Sequence, residues 1–282
     1  MVKLVRFSFD SKYNNMKKIL IAGCAIVMTT LLHAQQKQGK VSYERVSKIQ
    51  IQLGGDHAGM EDMLPKTRTD NFELTFGNNQ SLWKQAERET EDGGDWNSGG
   101  VQIRMIGAGA DDILYNNFET GKRTEQREMF EKKFIIDDSI KSLKWKMTGE
   151  TKVILNHPCM KATATQTTTR MQMNMDNGKM ERKEIQDTSL IVAWFTNDIP
   201  ISAGPAEYQG QLPGLILEMD VADGRQVFKA TSISEKADLA VIKEPTGKKR
   251  YTREEYRKEV AKMMDEMQRN NGGPGTRFRM VN

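Results

Sequence analysis

The chain is short of the residues that most often announce a chemistry. Its 282 residues hold two cysteines, three histidines and seven prolines, and aromatic residues make up 7%. One cysteine, Cys24, lies in the sole long apolar stretch, residues 19–32. Lys17 and Lys18 precede that stretch and Ala34-Gln35 closes it. This is the layout of a secretory signal peptide over 16–34, cut near Ala34/Gln35, with residues 1–15 upstream of the signal proper. The stretch is too short and too early for a membrane span, so no transmembrane helix is expected after cleavage. Ile21-Ala22-Gly23-Cys24 also reads as a lipobox. However, only about five apolar residues precede Cys24, short of the usual 7 or more, and lipidation there is the weaker reading. Once the leader is removed, Cys159 stands alone, which excludes an intrachain disulfide. His57 and His157 are then the remaining histidines, which with one cysteine argues against a dedicated zinc site, though carboxylates could contribute ligands. Excess charge of one sign is missing as well. The leader carries five of the 42 Lys and Arg and one of the 38 Asp and Glu, so the rest of the chain is balanced. No electrostatic case for nucleic acid or an anionic membrane remains. The expected location is the periplasm or the exterior.

From residue 40 onward the dominant period is two. Residues 41–53, 71–76 and 81–88 alternate or run apolar between turn-forming clusters, which predicts strands. Further strands are predicted over 112–120, 123–130, 131–136, 145–155, 160–175, 188–195, 215–221 and 226–233. Residues 176–179, Asp-Asn-Gly-Lys, and Asp223-Gly224 read as hairpin turns. Residues 91–100, EDGGDWNSGG, read as a polar, Gly-rich loop, as do 54–65 and 107–112. Many strands with no helices between them argue an antiparallel sheet. Residues 252–271 break the pattern. Thr252 and Glu255 form a capping box, and Tyr256, Val260, Met263, Met264 and Met267 form one apolar stripe. The expected fold is mainly β: a single curved antiparallel sheet, half-barrel-like, over 35–245, followed over 246–282 by an amphipathic helix and a flexible tail.

Three stretches are candidates for chemistry. In YQGQLPGLILEMD, residues 208–220, Pro213 presets φ near −65° and Gly214 can supply a positive φ, which makes a type II turn. The strand that follows places Leu215, Leu217, Met219 and Val221 on one face and Ile216, Glu218 and Asp220 on the other. A structural turn is the plainer reading. The functional one is a glycine-rich wall against a ligand or partner, with Tyr208, Gly210, Pro213, Gly214, Ile216 and Glu218 as its residues. The second stretch is methionine-rich. Met171, Met173 and Met175 share one strand face, and thioethers select Cu(I). His157 and Cys159 are candidate co-ligands. Against this, methionine commonly fills cores or adaptable binding surfaces. The third stretch, His157-Pro158-Cys159, offers a nucleophile and a base but no third group to orient the pair. Gly107-Ala108-Gly109 lacks the third glycine and the βαβ setting of a dinucleotide fingerprint.

The stretch Leu212-Pro213-Gly214-Leu215-Ile216-Leu217-Glu218 resembles the motif that names the GLPGLI family of secreted bacterial proteins. Ala193-Trp194-Phe195-Thr196, Ile199-Pro200, Gly204-Pro205 and Tyr208 are similar to the segment that precedes it in the family. Trp145, Glu150, Lys152-Val153-Ile154 and Cys159-Met160-Lys161-Ala162 are similar to the family's central strands. Gln211 stands where the motif has glycine. The resemblance implies a cell-envelope protein without established activity, often encoded beside TonB-dependent outer-membrane receptors. It also implies a sheet similar to periplasmic lipoprotein carriers, and it carries over no catalytic residue. The expected function is therefore non-enzymatic: binding an apolar ligand, a peptide or an outer-membrane transport partner, with no cofactor. The alternatives are a Cu(I)-binding protein and a hydrolase whose site forms only in three dimensions.

Overall fold

Period-two patterning becomes pleated strand through most of the chain. A computed structural model describes residues 37–48, 66–86, 95–98, 101–104, 112–129, 131–176 and 179–270. In chain order the strands are β1 (Gly39–Lys48), β2 (Thr67–Gly77), β3 (Gln80–Gln85), β4 (Asp95–Ser98), β5 (Val101–Arg104), β6 (Ile113–Asn117) and β7 (Lys122–Met129). They continue with β8 (Lys132–Ser139), β9 (Lys146–Ile154), β10 (His157–Asp176), β11 (Lys179–Thr196), β12 (Leu215–Val221), β13 (Gln226–Ser234) and β14 (Arg250–Thr252). One helix follows, α1 (Arg253–Asn270). The loops expected at 54–65 and 107–111 and the leader lie outside the described residues.

Twelve strands form one sheet in the order β14-β8-β7-β6-β3-β2-β1-β13-β12-β11-β10-β9. Its ladders are antiparallel except β14, which runs parallel to β8, with Tyr251 opposite Ile136. An all-antiparallel sheet was expected; three residues at the end of a long connection carry too little pattern to read. The stretch expected as a polar loop at 91–100 also differs. Residues 95–98 and 101–104 pair as a separate two-stranded sheet, β4 with β5. Elsewhere local chemistry sets the turns. Asn78 and Asn79, both at positive φ, join β2 to β3, and asparagine tolerates that conformation better than other side chains.

The sheet is strongly bent. Strands lie about 4.8 Å apart, so β7 and β10, eight positions apart in the order, would sit roughly 38 Å apart if flat. Instead both reach adjacent residues of one segment. Arg123 on β7 donates to the Glu207 carbonyl at 2.6 Å, and the Tyr208 hydroxyl donates to Gln166 Oε1 on β10 at 3.2 Å. That segment, residues 197–214, is a strap between β11 and β12 that lies across the inside of the bend. Ser81 on β3 donates to Gln209 at 2.6 Å. Gln211 Oε1 accepts from the Leu143 N–H at 3.0 Å and the Trp145 indole at 3.1 Å. One apolar cluster results, with Val41, Leu74, Phe76 and Trp83 from one limb, Ile191, Phe195 and Leu217 from the other, and Ile199, Ala203 and Leu212 from the strap. A second cluster lies under α1, where Tyr251 and Tyr256 meet Phe134 edge-on at 5.3 and 5.2 Å. The capping box is present: Glu255 accepts from the Thr252 N–H at 2.8 Å, and Thr252 accepts from the Glu255 N–H at 3.2 Å. The apolar stripe is narrower than expected, because Met264 is 46% exposed.

Gly214 is not in the left-handed region, so the expected type II turn is replaced by a different constraint. A Cβ there would sit 2.0 Å from the Thr196 carbonyl oxygen. Glycine is required because two stretches of backbone touch. Gly214→Ala should therefore cost about 3 kcal/mol or more in urea unfolding, whereas Pro213→Ala beside it, exposed, should cost under about 1 kcal/mol. Equal costs would restore the turn explanation.

Candidate functional site

The residues of the glycine-rich stretch are consumed by the fold. Tyr208 is buried and held by Gln166, and burial pushes its phenol well above its usual range. Gly210, at φ +79°, lies against Ile140. Ile216 is 1% exposed. A Cβ on Gly204 would come within 2.8 Å of Ile216, and the Ile216 carbonyl accepts from the buried Tyr43 hydroxyl at 2.5 Å. The expected two-faced strand fails here because the register slips between Trp194 and Phe195, from Trp194↔Glu218 to Phe195↔Ile216. Leu215, Ile216 and Leu217 are then all buried, with neither face free. Glu218 pairs with Lys152 at 2.8 Å, and Asp220 accepts from the Gly224 N–H at 2.6 Å. Of the six proposed ligand residues, only Pro213 is exposed. The stretch is a structural brace rather than a ligand wall.

The proposed metal ligands divide into two places. Met171, Met173 and Met175 occupy alternate positions of β10, and Met175 is the register partner of Met180 on β11. These positions lie on the far part of a two-stranded ribbon. β9 pairs with β10 no further than Thr163, and β12 pairs with β11 no further than Ile191. The ladder continues alone from Gln166↔Ser189 to Asp176↔Lys179, a reach of about 35 Å. His157 and Cys159 begin the same strand. His157 is some fourteen positions from Met171, or about 45 Å in extended chain. Residues this far apart along one strand do not converge, so His157 and Cys159 are not brought together with the methionines.

His157 and Cys159 do not make a catalytic pair either. The His157 ring faces Asp198 at 3.3 Å. The Cys159 thiol is fully buried and donates to the His157 carbonyl at 3.5 Å, not to the ring. Burial, more than any neighbouring charge, pushes the thiol up to about 11. Catalytic thiols need the opposite shift. His157 does line a shallow depression of about 370 Å³ with Leu155, Asn156, Ser232, Ile233 and Glu235. Leu155 and Asn156 form the β9–β10 turn with φ of 48° and 65°. Leucine is strained in that conformation, and Leu155 is 39% exposed.

Two features escaped the sequence. One is a buried polar layer beneath the strap: Ser81, Asn116, Arg123 and Gln209, each 5% exposed or less. Arg123 donates to Asn116 Oδ1 at 3.1 Å as well as to Glu207. Burial lowers the Arg123 guanidinium, with the charges of Glu125 and Glu207 opposing. Ser81, Asn116 and Arg123 alternate in strands like ordinary surface polars, and only the strap, which supplies Gln209, makes them interior. The other is the outer edge at β9, exposed along most of its length. Among the described residues the exposed large apolar side chains are Met147, Val153, Leu155, Met160, Leu190, Val241 and Met264; the first five sit on β9, its turn, β10 and β11. Trp194 on β11 lies between Lys152 at 4.3 Å and Lys161 at 5.7 Å.

Because the Cys159 thiol is buried and its thiolate disfavoured, a thiol-alkylating reagent at mildly alkaline pH should leave the native protein unmodified and label it fully in denaturant. Rapid native labelling would reopen the nucleophile assignment.

Residues 145–218 match the model of a family described as proteins of unknown function (Porph_ging). That span runs from the strap-bound Trp145 to Glu218 and takes in the edge strand, the ribbon and the strap. No curated protein matches the chain. Among solved structures it is similar to PNGF-II, at 16% identity and a TM-score of 0.47, over 80% of this chain and 33% of that one. It thus spans about a third of the PNGF-II chain. It is also similar to LprF from Mycobacterium bovis, at 11% identity and a TM-score of 0.27, over 76% of this chain and 92% of that one. With both TM-scores below 0.5, neither likeness bears on function. A stretch of this chain, its brace and its edge together, carries the pattern of a family whose function is unknown.

Proposed function

We propose that this is an exported envelope protein of the GLPGLI type, without enzymatic activity, that holds a protein or peptide partner on the β9–β11 side of its sheet. The observation that carries this reading is the group of exposed apolar side chains on β9, its turn and β10, with Leu190 on the opposite face, together with the outer edge of β9, which no strand pairs among the described residues. An edge strand offers a row of unpaired N–H and C=O groups to an incoming strand, and the side chains around it supply selectivity. Leu155, exposed and strained at the tip, fits the same role, since local strain concentrates where a fold meets something else. The expected apolar small ligand is less well served. The inside of the bend is filled by the strap, and the depressions at His157 and at Tyr251 are open ones whose walls mix polar and charged side chains with apolar surface. Export and a partnership with an outer-membrane transport receptor rest on the signal-like leader and the resemblance described above.

Gly149, at φ +80°, and the register slip between Met160 and Ala162 put a bulge into β9. Bulges and charges blunt edges against indiscriminate pairing. Lys146, Glu150 and Lys152 supply the charges, so an incoming strand would have to match a short stretch rather than a long flat ladder. Native mass spectrometry of protein isolated from its own periplasm tests the proposal. The wild type should carry a polypeptide partner that is lost from the Val153→Glu/Leu190→Glu variant at an unchanged thermal midpoint. A bound lipid in its place, or a partner retained by the variant, would overturn the reading.

The register of the ribbon favours one second reading, a Cu(I) site. Met171, Met173 and Met175 share a face, and Met180 stands opposite Met175. Soft thioethers of this spacing suit Cu(I). Titration with Cu(I) under reducing conditions should show binding that a Met171→Leu/Met173→Leu/Met175→Leu variant loses and a Cys159→Ala variant keeps; unchanged affinity in the triple variant excludes the site.

A further inference from the structure

The far edge of the sheet carries a feature that the partner-binding reading does not use. Residues 243–249 lead into β14 and lie on β8 so closely that a Cβ on Gly247 would sit 2.7 Å from Ile135 Cγ1. Between this loop and the start of β8 is a depression of about 350 Å³. Four lysines line it, Lys132, Lys133, Lys248 and Lys249, with Tyr251 as an aromatic wall and no carboxylate in the lining. The loop is fixed by a clamp on its other side. Arg250 bonds both Asp137 oxygens at 2.6 and 2.9 Å, Glu244 at 2.6 Å and the Pro245 carbonyl at 3.2 Å.

The clamp decides the electrostatics. The nearby acids are committed away from the depression: Glu244 to Lys122 at 2.7 Å and to Arg250, Asp137 to Arg250, Asp138 to Arg253 at 2.8 Å, and Glu125 to Arg253. Glu255 caps the helix through the neutral Thr252 donors and keeps its charge. Carboxylates outside the lining offset part of the lysine charge, and Glu255 and Glu259 both lie within electrostatic reach of Lys249. Glu259 reaches Lys132 at 2.9 Å from α1, and Glu128 approaches Lys133 at 3.9 Å. Lys249 lies over the Tyr251 ring at 4.4 Å. Lys248 and Lys249 are both exposed. In a chain whose charge is otherwise balanced, the charged residues lining this depression are all lysines, and clefts lined by one sign of charge focus field and concentrate counter-ions.

We propose that this cleft is an anion site for a phosphoryl group, borne by a free phosphate ester or by a lipid or glycan headgroup. A phosphoryl group carries about −1.5 to −2 charges and three strong acceptor oxygens, which several ammonium groups can share, whereas a carboxylate offers one charge and two oxygens. Lysines bind phosphate as mobile point charges and need no planar fork. The Arg250 clamp holds the loop in its bound geometry beforehand, so little ordering is left to oppose binding.

The test uses the full mature chain, inorganic pyrophosphate followed by calorimetry, and flotation with phosphatidylcholine vesicles carrying phosphatidic acid. The wild type should bind at low ionic strength and weaken with added salt. The Lys248→Glu/Lys249→Glu variant should bind about tenfold more weakly or less, and a distant Lys236→Glu control should not change. Both substitutions lie on exposed side chains, and circular dichroism checks that the variants fold. Pyrophosphate binding assigns a soluble phosphoryl ligand, and vesicle binding alone assigns a headgroup. Binding to neither probe, or binding that the double variant leaves intact, overturns the proposal.

Discussion

The architecture depends on backbone meeting backbone at Gly214. There the end of the strap passes within contact distance of the Thr196 carbonyl, at the point where β11 gives way to the strap and the strap to β12. That approach sets the start of β12, which places the Ile216 carbonyl under the Tyr43 hydroxyl and ties the central strand to the strap's end. From the same anchor the strap crosses the bend and satisfies Arg123, Ser81, Gln166, Leu143 and Trp145 in turn. The strap buries this polar layer and must therefore supply its partners, because each buried group left orphaned costs about 1–3 kcal/mol. The interior is full because the fold needs it full.

This explains which parts were legible in the sequence. The ribbon could be read because Asp176 to Lys179 is a local turn signal and the strands on either side alternate. The helix could be read because Thr252, Glu255 and Tyr256 are local too. The Pro-Gly motif was read as a turn since that is what the dipeptide favours in isolation. Its true constraint comes from Thr196, which reaches it only through tertiary structure. Gln211, the departure from the family motif, looked like a loss of glycine. In the fold its side chain joins the strap to Leu143 and Trp145. Parallel β14 and the β4–β5 pair were missed for a related reason: three or four residues hold too little periodicity to outvote the polar residues around them.

The candidate sites follow the same division. Ile216, Glu218 and Tyr208 looked available because strand alternation cannot know of a bulge or a strap. The methionines and His157-Cys159 looked like neighbours because they share a strand, and a strand separates what it carries. Conversely, the lysines of the basic cleft were invisible, since Lys132-Lys133 and Lys248-Lys249 are brought together only by the parallel ladder. The sheet thus has two unlike edges, one at β9 that mixes apolar and charged side chains around a bulge and a basic one at β14 behind an arginine clamp.

The register of β1 also has a kinetic consequence. Lys40 pairs with Ser234, so β1 meets one of its two neighbours only across 194 positions of chain. Closing so long a loop costs entropy before any contact repays it, and chains dominated by such pairings fold slowly. Until β13 arrives, the β1–β2–β3 meander has an open flank carrying Val41 and Tyr43. Slow closure leaves that flank exposed for a long interval, in which it is open to pairing with another chain.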